Sequence, residues 1–92
     1  MDIEESKIRI REAQGLISDA YAAVAPDKLK ARRAELAEKQ NDPALYSDPK
    51  VAQAVNSEAK YIDDTLGKFD RLFRKADDLI AMADLLSVEA DD

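Results

Sequence analysis

The sequence contains no cysteine, no histidine and no tryptophan, and its 92 residues include only two glycines and three prolines. Without cysteine there are no disulfide staples and no thiolate chemistry. Without histidine the commonest general base and the commonest nitrogen ligand for metals are missing. The serines Ser6, Ser18, Ser47, Ser57 and Ser87 therefore have no imidazole to activate them, and no nucleophile–base pair is visible. Gly15 and Gly67 are isolated, which excludes a glycine-rich phosphate loop. Tyr21, Tyr46 and Tyr61 are too dispersed to form a stacking platform. No apolar run approaches the length of a membrane span, and the opening MDIEES lacks the basic region of a signal peptide, so a cytoplasmic location is expected.

What the chain has in quantity is helix-forming and charged residues. Hydrophobic residues make up 46% and charged residues 37%. Much of the apolar share is alanine, which favours helix and close helix approach but buries little area. This is the composition of an all-helical, coiled-coil-like chain. The net charge is −6, an overall balance that disfavours generic binding to phosphate backbones.

The dominant pattern is an apolar stripe of Val55, Ala59, Ile62, Leu66, Phe69, Phe73, Ala76, Ile80 and Ala83. Its steps alternate four and three without a slip, as in the seam of a helix packed along another helix. The spacing predicts a helix over 48–88, roughly 60 Å long at about 1.5 Å per residue. Ser47 or Asp48 is the candidate cap and Pro49 suits the first turn. With Ser47 as cap, Tyr46 and Val51 would take the positions of a hydrophobic staple. A first helix is predicted over 3–24, with Asp2 and Glu5 at capping spacing. Its seam reads Ile3, Ile10, Ile17 and Val24, with Ser6, Ala13 and Ala20 between them. A second helix is predicted over 27–40, with Leu29 and Leu36 seven apart, packing back on the first half of the spine while helix one serves the second half. The fold class is thus all-α, an antiparallel helical bundle of about three helices with one very long member. Residues 1–92 are expected to be a single helical domain. Phe69 and Phe73, if fully buried, would each contribute roughly 3–5 kcal/mol against truncation to alanine.

Extra leucines at 72, 79 and 86, with Met82, Leu85 and Val88, broaden the stripe near its end. A face from Leu79 to Val88 is expected to remain uncovered and is a candidate for self-association. The acidic run Glu89–Asp92 is expected to stop the helix. Basic clusters at Lys28, Lys30, Arg32 and Arg33, and at Lys68, Arg71, Arg74 and Lys75, are read first as solvated faces with i,i+4 ion pairs such as Asp70–Arg74. The pairs Asp63–Asp64, Asp77–Asp78 and Asp91–Asp92 cannot converge, because neighbours on a helix point about 100° apart. Asp70, Asp77 and Asp84 repeat at seven and are read as an outer charged face. No metal site, cofactor, catalytic residue or small-molecule substrate is expected.

One stretch is more specific than periodicity. Two Asp-Pro pairs bracket an aromatic in Asp42-Pro43-Ala44-Leu45-Tyr46-Ser47-Asp48-Pro49-Lys50-Val51-Ala52. This resembles the N-terminal domain of bacterial class I peptide chain release factors, the release factor 2 type more than release factor 1. The motif residues are Asp42, Pro43, Tyr46, Asp48, Pro49 and Ala52. Tyr46 departs from the family's usual tryptophan and is read as a structural plug. The closing LLSVEADD also resembles the family, whereas helices one and two match it only in length, order and spacing. The resemblance implies that the chain is an N-terminal part of a longer factor that ends translation at UGA and UAA. In that family a Ser-Pro-Phe tripeptide reads the codon and a Gly-Gly-Gln loop directs hydrolysis; neither occurs here. It further implies a docking role without catalysis, with the stalk base of the large ribosomal subunit and a GTPase release factor as partners. The alternative is a free-standing helical adaptor or coiled-coil assembly module.

Overall fold

The computed structural model describes residues 2–91, with side chains through Val88. Three α-helices and one short 3₁₀ segment make up the chain: α1 (Ile3–Ala23), α2 (Pro26–Gln40), the 3₁₀ turn Pro43–Ser47 and α3 (Pro49–Asp91). No strand occurs among the described residues. The all-α expectation holds, and the helix boundaries fall within a few residues of those predicted. The end of α3 is the exception, since the helix continues through Glu89 and Ala90 to Asp91. Neither glycine nor proline interrupts that run, so an acidic run alone does not end a helix. Asp92, and with it the Asp91–Asp92 side-chain pair, lies outside the described residues.

The packing divides into two compact units, Met1–Ala23 with Phe69–Asp92, and Val24–Lys68. In the second unit α2 runs antiparallel to the first part of α3. Its core is Leu36, Leu45, Ala52, Val55, Ala59 and Ile62, with Leu29 and Leu66 packed against it. Leu36 and Ile62 are its fully buried large side chains. Arg32 and Arg33 flank Leu36 on α2 and reach across to α3. Arg32 binds Glu58 through Nε and Nη2 at 2.5 and 3.0 Å, and Arg33 binds Asp63 at 2.8 and 3.3 Å. Gln40 donates to Asn56 at 3.0 Å near the end of the same pair of helices.

In the first unit α1 runs antiparallel to the later part of α3. Asp2 caps α1, its Oδ1 accepting from the Glu5 amide at 2.8 Å. Tyr21 packs on Phe69 and Phe73 with ring centroids 5.3 and 5.5 Å apart, the second contact edge-on. Further along, Gln14 donates to Asp77 at 3.2 Å and Lys7 pairs with Asp84 at 2.9 Å. These contacts correct two expectations. The α1 seam is completed by Lys7, Gln14 and Tyr21, while Ala13 and Ala20 are exposed and only Ser6 is half-buried. Opposite them the α3 stripe narrows to Ala76 and Ala83, which leaves room for long side chains whose polar ends reach the rim. Asp77 and Asp84 are accordingly interhelical partners of α1 rather than an outer face. Asp70 does pair with Arg74, at 3.1 Å, as expected.

The turn between α1 and α2 rests on Ala25, which adopts left-handed geometry with φ 52° and ψ 66°. Pro26 then opens α2, and the Ala25 carbonyl accepts from the Leu29 amide at 3.1 Å. Proline has no amide hydrogen to lose in a first turn, which is why the helix can start there.

Candidate functional site: the double Asp-Pro corner

The two Asp-Pro pairs build a corner in which each aspartate caps the element that its proline opens. Asp42 is extended, and its Oδ1 accepts from the Ala44 amide at 3.0 Å. Its carbonyl accepts from the Leu45 amide, closing the 3₁₀ turn. Asp48 repeats the device for α3. Its Oδ1 accepts from the amides of Lys50 at 3.2 Å and Val51 at 3.3 Å, and its carbonyl accepts from the Ala52 amide at 3.0 Å. An aspartate carboxylate suits this place because the first amides of a helix have no partner of their own and carry partial positive charge.

Of the two capping candidates for α3 it is therefore Asp48 that caps, and Ser47 does not. The Ser47 hydroxyl donates back to the Ala44 carbonyl at 2.6 Å. With Asp48 as the cap, Tyr46 and Val51 no longer stand at the staple positions, and both side chains are exposed. The plug of the corner is Leu45, 9% exposed, whereas Tyr46 is 60% exposed. A signal for this was present in the sequence. Counting back from Val55 in the seam's own steps of three, four and three gives Ala52, Asp48 and Leu45, and passes over Tyr46. Tyr46 instead lies on the surface with its hydroxyl 3.5 Å from the Gln40 carbonyl. Its ring borders a shallow groove with Pro49, Gln53, Asn56 and Lys60, floored by Ala52. Of the six motif residues, Asp42, Pro43, Asp48 and Pro49 thus shape the backbone. Ala52 is buried, and Tyr46 alone presents a large side chain outward.

A second shallow groove on the same unit is lined by Arg32, Lys39, Lys50, Val51 and Glu58. Here the Arg32 guanidinium, hydrogen-bonded to Glu58, holds that carboxyl below its ordinary value, while Arg32 is raised by Glu58 and Glu35. Both shifts follow from the charge-assisted fork between the two side chains. Reading the α2 basic cluster as a solvated face missed this pairing. Its signal was position, because Arg32 and Arg33 fall between Leu29 and Leu36 on the seam. Lys28 and Lys30 are exposed, as are Lys68, Arg71, Arg74 and Lys75 on α3.

Among the described residues no group of histidine, cysteine or carboxylate side chains could hold a metal ion. None of the described helices is long and apolar enough to cross a membrane. The carboxylates that repeat along the chain are instead engaged with cations or amides: Asp63 with Arg33, Asp64 with Lys60, and Asp77 with Gln14. What this surface offers chemically is contact: a tyrosine ring, amide and ammonium groups, and a rigid backbone corner.

Curated proteins with similar sequences supply the context. Peptide chain release factor 2 of Beutenbergia cavernae is 35% identical over 80 residues, 87% of this chain and 21% of that protein. Release factor 2 of Nautilia profundicola is 32% identical over all 92 residues, a quarter of its own length (25%). That of Corynebacterium diphtheriae is 28% identical over 96% of this chain and 24% of that protein. The chain resembles a segment of peptide chain release factor 2. It spans about a quarter of the length of these relatives. The match to release factor 2 runs nearly end to end and so takes in α1 and α2 as well as the Asp-Pro corner. No family model and no solved structure matches the chain.

Proposed function

We propose that this chain is a docking segment of a translation termination factor and carries no catalysis itself. The observation that supports this most is the similarity to release factor 2 over 87–100% of the chain, confined to about a quarter of each relative. A segment of that size contributes only part of a factor's work. Several carboxylates serve the helices: Asp2, Asp42 and Asp48 cap them, and Glu58, Asp63 and Asp84 pair with cations across them. The parent activity is stop-codon-dependent release at UGA and UAA, to which this segment contributes binding.

The partners that fit are a protein of the stalk base of the large ribosomal subunit and a GTPase release factor. A net charge of −6 repels bare ribosomal RNA and favours a basic protein surface. Tyr46 and its groove are the contact point we propose, because an exposed aromatic on a corner fixed by two prolines binds at low entropic cost. A peptide-release assay on programmed ribosomes tests the division of labour. The isolated chain is expected to release no peptide at any stop codon, and codon-dependent hydrolysis by it would overturn the proposal. The alternative of a helical adaptor rests on the heptad seams, and it would lead if the chain failed to bind ribosomes and bound another helical protein instead.

A further inference from the structure

The unit formed by α1 and the later part of α3 has two unlike faces. On α3, Asp77 and Asp84 flank the buried Ala76 and Ala83 on one side, holding Gln14 and Lys7. Leu72, Leu79 and Leu86 lie on the opposite flank, since a step of five residues turns a helix by about 140°. They are 44, 50 and 46% exposed. On α1 the residues one position before Lys7, Gln14 and Tyr21 fall on that same side. These are Ser6, Ala13 and Ala20, all small. One face of the helix pair therefore carries a row of large side chains on α3 beside a row of small ones on α1. The antiparallel register sets Leu72 level with Ala20, Leu79 with Ala13 and Leu86 with Ser6.

We propose that this face is a self-association surface whose occupant is a second copy of the chain. A two-fold axis parallel to the helices lays each leucine row over the other copy's small-residue row, without changing level along the axis. Leu79 then seats over Ala13, Leu72 over Ala20 and Leu86 over Ser6, which is knobs-into-holes packing of a four-helix arrangement. The rim agrees with it. Lys75 of each copy comes level with Leu16 of the other, with Glu12 one turn along, so opposite charges meet there. A partner of unrelated sequence would have to supply both rows in the same register; a second copy carries them already. The face measures about 30 Å by 20 Å, roughly 600 Å² per copy, at the lower end of what stable interfaces bury. The dimer is accordingly weak and concentration-dependent.

Sedimentation equilibrium of the 92-residue chain over a wide concentration range tests this, with helicity checked by circular dichroism. The expected result is a monomer–dimer equilibrium that Leu79→Ala or Ala13→Leu alone weakens roughly tenfold or more. Combining the two on one chain restores it, because large and small rows are exchanged. Leu72→Ala with Ala20→Leu repeats the exchange one heptad away, so a folding failure at one pair leaves the other to decide. A strictly monomeric chain would overturn the proposal. So would a dimer indifferent to the single substitutions, or single losses that neither exchange repairs.

Discussion

Single residues divide here by whether they hold the backbone or face outward. Leu45 and Tyr46 are neighbours, yet one is 9% and the other 60% exposed. Leu45→Ala is expected to cost about 2–3 kcal/mol through loss of buried area and a small cavity. Tyr46→Ala is expected to leave thermal stability within about 0.5 kcal/mol while weakening ribosome binding; paired melting and binding curves separate the two. Gly15 is exposed on α1, and a Cβ added there meets nothing within 4 Å. Gly15→Ala should therefore raise stability by about 1 kcal/mol through helix propensity alone, read as a higher midpoint in urea. Glu58 gives the pH dependence. Its folded pKa is lowered by the Arg32 hydrogen bonds, so on acidification the unfolded chain takes up the proton first. Its contribution is present above the ordinary carboxylate range of about 4 to 4.5 and lost as pH falls through the lowered folded value. Glu58→Gln should flatten the acid limb of the stability profile; an unchanged limb would mean that the Arg32 pair contributes nothing.

At the scale of elements, the apolar seam was the most legible feature. Every residue of the stripe from Val55 to Ala83 is buried or half-buried in the structure, because a four–three alternation leaves a long helix only one way to pack. The α1 seam was half legible. Ile3, Ile10 and Ile17 mark it correctly, but hydrophobicity pointed to Ala13 and Ala20 where the chain uses Gln14 and Tyr21. Those choices depend on small alanines across the interface, which one helix's own pattern does not reveal. The corner was legible in its caps and prolines, and the inward turn of Leu45 was legible too, in the seam's own steps counted back from Val55; reading Tyr46 as the plug followed the bracketed aromatic instead of that phase. Phe73 tests the aromatic contact of α1 with α3. It is half-buried rather than fully enclosed, so Phe73→Ala should cost about 2–3 kcal/mol, less than the full-burial figure. A negligible shift in melting temperature would mean that Tyr21 and Phe73 do not stabilise the pair.

At the scale of the whole molecule, sequence pattern alone indicates an all-helical chain. The two Asp-Pro pairs and their bracketed aromatic point further, to release factors, and the similarity to release factor 2 across nearly all of the chain extends that reading to the two helices that pattern matched only in length, order and spacing. The proposed contact point at Tyr46 was not legible as such, because an exposed residue answers to a partner that leaves no periodic trace in one chain. The most direct measurement is co-sedimentation of the 92-residue chain with large ribosomal subunits, with and without their stalk-base protein. The expected result is saturable binding that is lost with that protein and weakened by Tyr46→Ala. Absence of binding to complete subunits, at concentrations where the chain is folded, would contradict the docking role.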